Sequence, residues 1–248
     1  MKIAVGLSGG VDSSVAAALL LEQGHDVIGV MMKHSQDGKY KTDNRPACFG
    51  GDEQEEINAA RKVTETLGIP FHVIDLTKEY EEIVLNFFRS EYLAGRTPNP
   101  CIKCNQQLKF QLLIDKSKIL QDFTFFATGH YARVEFNSMT NRYLLKRAEY
   151  IKKDQSYFLS QLTQNQLSRV MFPLGELTKL EVREIAAKYK LPTSDKEESQ
   201  DFFSGDYKDL FENLPPKGDI VDGSGKILGR HSGIISYTIG QRKGLGIS

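Results

Sequence analysis

An α/β fold built on a doubly wound parallel sheet, followed by the start of a small β domain, is what this sequence predicts. Three observations predict it. Short apolar runs at 2–7, 26–32, 71–76 and 123–130 alternate with stretches of helical periodicity. A glycine-rich turn follows the first run directly. After about Gly205 the chain changes to short β-like runs broken by glycine and proline.

Each element has its own signal. KIAVGL (2–7) reads as a strand, and the Ala/Leu-rich segment from Ser13 to Gln23 as a helix stopped by Gly24. DVIGVMM (26–32) closes a βαβ unit. Residues 33–51, with Gly38, Pro46, Gly50 and Gly51, read as a surface loop. From Asp52, residues Ile57, Ala60, Val63 and Leu67 recur at helical steps until Gly68-Ile69-Pro70. FHVIDL (71–76) is a strand, and Thr77 is a candidate cap for a helix running to about Ala94. GRTPNP (95–100) is a loop, 102–120 a helix, and FTFFATGH (123–130) a strand ending in a Gly-His turn. YARVEF and RYLLKRA flank NSMTN as a hairpin, and 154–190 reads as mostly helical with a break at Pro173-Leu174-Gly175. No internal repeat or low-complexity segment stands out.

Composition narrows the function classes. The chain has 248 residues, 40% hydrophobic and 26% charged, which excludes a disordered chain, a collagen and a membrane bundle. With 32 basic and 32 acidic residues, nucleic acid has to be held by a local patch. Three cysteines do not make a disulfide scaffold, so metal or reactive-thiol roles come first. The N-terminus carries no signal-like apolar run, and a cytoplasmic protein away from membranes is expected.

The turn after the first strand, Gly6-Leu7-Ser8-Gly9-Gly10-Val11-Asp12-Ser13, opens a helix. Its glycines let backbone N–H groups approach an anion, and the helix dipole adds positive potential there. It is not a Walker A loop, because no lysine follows its last glycine. The plain alternative is a tight turn with no ligand. The motif SGGVDS resembles the PP-loop of ATP pyrophosphatases (the adenine nucleotide alpha hydrolase-like fold), which cleave ATP to AMP and pyrophosphate while adenylating a carbonyl oxygen. The resemblance implies that Ser8, Gly9, Gly10, Asp12 and Ser13 grip the pyrophosphate portion with Mg²⁺, and that Met32 lies near the adenine. From the residues alone Met32 is equally an ordinary core methionine.

TPNP-Cys101-Ile-Lys-Cys104-Asn105 opens another helix, where a thiol is expected to have a lowered pKa. Half of a structural zinc site is the alternative, but no second CxxC or HxxxH supplies the remaining ligands. SGGVDSS, GRTPNPxxxCN, LKF, ATGHYAR, KDQSYFL, ESQD and YTIGQRKGLGI then occur in that order. Together these blocks resemble the tRNA-specific 2-thiouridylase family across essentially the whole chain. The resemblance implies an ATP-dependent sulfurtransferase that replaces the C2 oxygen of wobble uridine 34 by sulfur in tRNAs for Lys, Glu and Gln. It implies Cys104 as the nucleophile, with Cys101 and Asp12 also in the catalytic set. Gly129 becomes a nucleotide contact beside the loop 6–13, and Asn99, Pro100 and Cys101 lie near the target base. His130, Lys153, Asp154 and Gln155 become tRNA contacts. Without the resemblance, His130 reads as a strand-end histidine satisfied by backbone, and the KDQ stretch as a solvated helix start.

The sequence departs from the family in two places. Cys101 stands where the family carries an Asp. Phe202-Phe203-Ser204 follows ESQD, where the family carries a second catalytic cysteine. Cys48, Cys101 and Cys104 remain. In other tRNA-thiolating PP-loop enzymes a CxxC plus one distant Cys holds a [4Fe-4S] cluster, so the resemblance implies these three as candidate ligands. A persulfide on Cys101 or Cys104 competes with that reading, and a lone buried cysteine is the plain reading of Cys48. The sulfur donor is expected to be a relay protein or inorganic sulfide.

Residues 1–205 are expected to form the ATP pyrophosphatase and thiolation domain. Residues 206–248 are expected to form a linker and a partial small β domain, with the family's C-terminal β-barrel absent. Residues 217–248 carry five cations against Asp219 and Asp222, fitting an RNA backbone contact or a solvated loop. Two other functions compete: a non-catalytic nucleotide- or tRNA-binding remnant, and another PP-loop ligase.

Overall fold

The computed structural model describes residues 1–35, 40, 47–49, 52–194 and 201–247. The expected turn residues Gly38, Pro46, Gly50 and Gly51, and Glu198-Ser199-Gln200 of ESQD, lie outside the described residues.

The chain begins as expected, with β1 (Lys2–Leu7), α1 (Val11–Glu22) and β2 (Asp26–Lys33). β3 (Ala47–Phe49) lies inside the stretch read as a surface loop. Its Ala47 and Phe49 are buried, so that reading is corrected. α2 (Glu53–Leu67) is capped by the Asp52 carboxylate, which accepts from the Glu55 N–H, and it closes on Gly68 at φ 67°. β4 (Phe71–Asp75) follows. Two long helical elements come next: α3 over 77–93 and α4 over 100–120. Each contains π-helical turns, at Glu81–Leu85 and Cys104–Leu112. Thr77 is not the cap expected of it. It is the first helical residue, and its N–H donates to the Asp75 carboxylate. β5 is Phe125–Thr128, shorter than the run 123–130. The hairpin β6 (Ala132–Asn137) and β7 (Arg142–Arg147) is antiparallel as expected.

Residues 154–190 are not mostly helical. They form one 3-10 turn (Ser156–Leu159), the one-turn α5 (Gln164–Leu167), the two-residue strand β8 (Val170–Met171) and one full helix, α6 (Lys179–Lys188). The chain ends with β9 (Asp201–Phe203), then β10 (Gly218–Val221) and β11 (Ile227–His231), which pair as an antiparallel ribbon.

The main sheet runs β4-β2-β1-β5-β8, and all its pairings are parallel. Strand alternation sends Ile3, Val5 and Leu7 into one core with α1, α2 and α6, while Ala4, Ile28 and Val30 face Phe110, Leu113 and Phe126 on the other side. The sheet is therefore covered on both faces, as a doubly wound sheet requires. A third core gathers Phe49, Tyr80, Phe88, Phe202 and Phe203 between α3 and the β3–β9 pair. Leu210 and Ile235 also pack in it. Among the described residues no helix is long and apolar enough to cross a membrane.

Candidate functional site

The chain leaves β1 toward β2 and β4 on one side and returns to β5 on the other. Sheets of this kind bind ligands where the strand order reverses, at the carboxyl ends of the strands. Here that point is Leu7-Ser8 beside Thr128-Gly129.

Gly9 takes φ +71°, and a Cβ there would stand 2.6 Å from the Glu56 carbonyl oxygen. Only glycine fits a turn so close to α2. Gly10 is the N-cap of α1 and has no side chain to satisfy the first N–H groups. The Ser13 hydroxyl accepts from the Ser8 N–H at 3.2 Å and lies 3.2 Å from the Ser8 hydroxyl, which ties the turn shut. A Cβ on Gly129 would lie 2.6 Å from the backbone of Asp12 and Ser13, so β5 delivers a bare backbone against the loop. A Cβ on Gly6 would meet the Phe126 ring at 2.9 Å. Leu7 and Val11 are buried, so only their backbone faces the loop. Met32 is half-buried and packs against both the sheet core and the aromatic core. The Asp12 carboxylate accepts from the Tyr131 hydroxyl at 2.9 Å and from the Lys179 ammonium at 2.7 Å.

The second group is the thiols. Asn99 caps α4 by accepting from the Cys101 and Ile102 N–H groups, and Pro100 sits at the first helical position. Asn99 and Pro100 thus fix the turn that carries Cys101 and Cys104. Cys48, on β3, lies in hydrogen-bonding contact with Cys101, and Cys104 is close enough for its ionisation to feel Cys48. The structure sets Cys48 against Cys101, and Cys101 and Cys104 both pack on the aromatic core that holds Phe49 of β3.

Their ionisation differs from the expectation for a helix N-terminus. The Cys101 thiol donates to Cys48 and, against the cost of burial, lowers Cys48 to about 6, with the Lys109 and His34 charges assisting. Cys101 moves strongly upward, because its bond to Cys48, burial and the Cys48 charge all favour its thiol. Burial pushes Cys104 up to about 11. The lowered thiol is therefore not in CxxC. It is Cys48, on β3.

Among the expected RNA contacts, His130 bonds the Thr128 hydroxyl at 2.7 Å rather than backbone. Burial and the Lys109 charge hold it well below the ordinary histidine range, so it is neutral. Asp154 accepts from the Ala148 and Ser156 N–H groups and the Ser156 hydroxyl, and Gln155 accepts from the Tyr131 N–H. These two side chains brace the hairpin. Lys153 ends a 3-10 turn beside them, half-buried, so the stretch is not a solvated helix start.

Sequence reasoning passed over His34 and Glu53. The buried Glu53 carboxylate accepts from the His34 and Ser35 N–H groups and pairs with the His34 ring at 2.8 Å. The far ring nitrogen of His34 bonds the Cys48 carbonyl at 2.8 Å, which fixes β3. Burial works against a charged ring, but Glu53 and the Cys48 carbonyl raise His34 above its ordinary value. No local motif marks this pair. Tyr131 and Lys179 were also missed, because they reach Asp12 from 119 and 167 residues away. Among the described residues, no group of three or more His, Cys, Asp or Glu is arranged to hold a metal ion.

Comparison with known proteins adds the family. Residues 1–203 match the family described as the tRNA methyl transferase HUP domain, and 210–248 the tRNA methyl transferase PRC-barrel domain. A tRNA-specific 2-thiouridylase MnmA of Endomicrobium trichonymphae is 49% identical over 252 residues, covering all of this chain and 69% of that protein. The proteins of that name in Caldanaerobacter subterraneus and Geotalea uraniireducens are 47% and 46% identical over the whole chain, covering 69% and 67% of their lengths. A 4-thiouridine synthetase solved with RNA and ATP shares the fold at TM-score 0.50 and 17% identity, over 86% of this chain and 46% of that one.

Proposed function

The chain belongs to the tRNA-specific 2-thiouridylases, and from that premise we propose how its own residues divide the reaction. It is a sulfurtransferase that uses ATP and acts on tRNA. Mg²⁺ enters with the nucleotide, and Asp12 is the carboxylate at hand for it. The loop 6–13 receives the phosphates, with Met32 and Gly129 beside the adenosine. Wobble uridine 34 of the tRNAs for Lys, Glu and Gln leaves its stack and presents C2 there. Its oxygen attacks the α-phosphorus and pyrophosphate departs. Asn99, Pro100 and Cys101 lie along the target base, and His130, Lys153, Asp154 and Gln155 along the tRNA.

Sulfur transfer then falls to the thiols. The Cys48 thiolate attacks the outer sulfur of a donor persulfide, takes it as Cys48–S–SH and releases the donor thiolate. The terminal sulfur, deprotonated, attacks C2 and AMP leaves. The Cys104 thiol attacks the Cys48 sulfur and passes its proton to the nucleobase. The bond to the new sulfur breaks, its electron pair stays on the nucleobase, and a Cys48–Cys104 disulfide remains for an external dithiol to reduce. Cys101 stabilises the Cys48 thiolate before it takes up sulfur. The hydrogen bond from the Cys101 thiol to Cys48, beside Cys104, carries this reading. It supplies a second thiol in place of the one missing from Phe202-Phe203-Ser204, since β3 and β9 pair with Phe49 opposite Phe203.

The same thiols are the donor set of a three-cysteine [4Fe-4S] site. In the described residues they are not arranged to hold a metal, and the Cys48 sulfur is engaged by Cys101, so no step is routed through a cluster. The residues fit the thiol relay instead. We further propose that 1–205 carry ATP and sulfur chemistry and that 206–248 contact tRNA, with a sulfur-relay protein or inorganic sulfide as the source.

Nucleoside mass spectrometry on tRNA from cells with and without the gene tests the function. Loss of 2-thiouridine on deletion, rescued by the wild type but not by Cys104→Ala or Cys48→Ala, is expected. An unchanged level in cells without another thiouridylase would leave a binding remnant. Iron-free protein that thiolates tRNA with a persulfide donor supports the relay. Activity that returns only on iron reconstitution would make the three cysteines cluster ligands.

A further inference from the structure

β3 is three residues long and carries Cys48 between the buried Ala47 and Phe49. Its pairing with β9 sets Ala47 opposite Asp201 and Phe49 opposite Phe203, and the Phe49 carbonyl accepts from the Ser204 N–H at 3.2 Å. The carbonyl of Cys48 itself is taken by His34, whose Nε2 lies 2.8 Å from it. His34 directly follows the last residue of β2. Nδ1 of the same ring lies 2.8 Å from the Glu53 carboxylate. Glu53 is the first residue of α2, and its carboxylate also accepts from the His34 N–H at 2.7 Å and the Ser35 N–H at 3.1 Å. The ring packs against Tyr80 and Phe49, with centroids at 4.8 and 6.0 Å. The His34 and Glu53 side chains are only 12% and 4% exposed. The end of β2, the start of α2 and β3 therefore meet on one imidazole, and the residue it grips is the one that bears the thiol.

We propose that His34, oriented by Glu53, is a positioning residue of sulfur transfer: it fixes the Cys48 backbone so that the Cys48 sulfur stays against Cys101 and takes up the donor's sulfur there. The proposal rests on the reading of Cys48 as the sulfur acceptor. A carbonyl oxygen only accepts, so Nε2 carries a proton and donates it. Glu53 takes the other nitrogen, which sets the ring's orientation and keeps that donor aimed, as an outer carboxylate orients a ligating histidine. Cys48 is then held at two points, its carbonyl by His34 and its sulfur by Cys101. Displacing a reacting group by about 1 Å costs on the order of 10²-fold in rate, so the second anchor bears on the chemistry. Stability alone does not call for this pair. Apolar side chains of similar volume fill such a place as well as a buried ion pair does, whereas a polar ring puts a directed donor on the carbonyl.

The test measures sulfur uptake on Cys48 of the full chain from glutathione persulfide, quenched with iodoacetamide at set times and read by peptide mass spectrometry. AMP formation with ATP and tRNA is measured on the same preparations. The ratio of the two rates is the readout, because a general loss of folded protein lowers both together. His34→Ala is expected to lower uptake relative to AMP formation by about 10–10²-fold. His34→Gln, whose amide N–H reaches the place of Nε2, is expected to recover part of that loss. Glu53→Gln is expected to lower the ratio by less, since Nε2 keeps its proton while the ring loses the carboxylate that orients it. An unchanged ratio in His34→Ala overturns the proposal. So does a His34→Gln protein as slow as His34→Ala, because a donor at that place then makes no difference. His34→Ala leaves the Glu53 charge buried and unpaired. Should it fail to fold, His34→Leu combined with Glu53→Gln removes both charges and is judged by the same ratio. A wild-type protein that takes no sulfur on Cys48 overturns the relay and this proposal with it, a failure seen before any variant is made.

Discussion

Cys48 ionises before its neighbours because another thiol donates to it. Its lowered value, about 6, makes it largely thiolate at pH 7, while Cys104 at about 11 stays protonated. Alkylation by iodoacetamide, followed by peptide mass spectrometry, is expected to modify Cys48 first. Its rate should rise through about pH 6 and level off above it. Cys104 should stay slow until far more alkaline pH. Preferential labelling of Cys104 at pH 7 would remove Cys48 from the sulfur path. The expectation of a lowered thiol pKa in CxxC is not met, because the bond to Cys48, burial and the Cys48 charge outweigh a helix N-terminus. Gly129 shows a second residue-scale constraint. Gly129→Ala drives a Cβ to 2.6 Å from the Asp12 and Ser13 backbone, which cannot yield like a flexible side chain. A destabilisation of about 1–3 kcal/mol is expected, with weaker ATP binding by calorimetry.

At the scale of elements, α4 matters for where it starts. Asn99 receives two N–H groups of the turn bearing Cys101, so Asn99→Ala should cost about 1 kcal/mol in denaturant unfolding. It should also lower thiolation at unchanged ATP affinity, and Asn99→Asp should restore the cap. The TPNP run made this start legible in the sequence, since Asn followed by Pro is a helix-opening pair. β3 was not legible. It is three residues long and pairs with β9 across more than 150 residues, so no periodicity could reveal it. Its anchor, the bond from His34 to the Cys48 carbonyl, joins residues that share no motif. The runs 77–94 and 102–120 were readable as helices, but their π turns were not, because apolar spacing barely distinguishes a π turn from an α turn.

At the scale of the molecule, the boundary near 205 is not a clean cut. Leu210 and Ile235 belong to the aromatic core, Arg89 donates to the Leu210 carbonyl, and the Ile239 N–H donates to Thr97. Truncation after residue 205 is therefore expected to lower the thermal midpoint rather than leave an undisturbed domain. The basic excess of 217–248 gives a separate expectation. Lys226→Glu with Arg242→Glu should weaken tRNA binding and flatten its salt dependence by about one unit of slope per lost phosphate contact, with ATP affinity unchanged. An unchanged slope would place the tRNA elsewhere.

The sequence by itself determined the sheet class, the loop SGGVDS, the start of α4 and the family. Each of these is written in neighbouring residues: alternating apolar runs, a glycine turn, a cap followed by a proline. Tertiary structure alone decided which thiol ionises, what braces Cys48, and which cation meets the loop. Those outcomes depend on contacts between Cys48 and Cys101, His34 and Glu53, and Asp12 and Lys179. Ionisation and charge pairing follow distance in space, and only folding sets that distance.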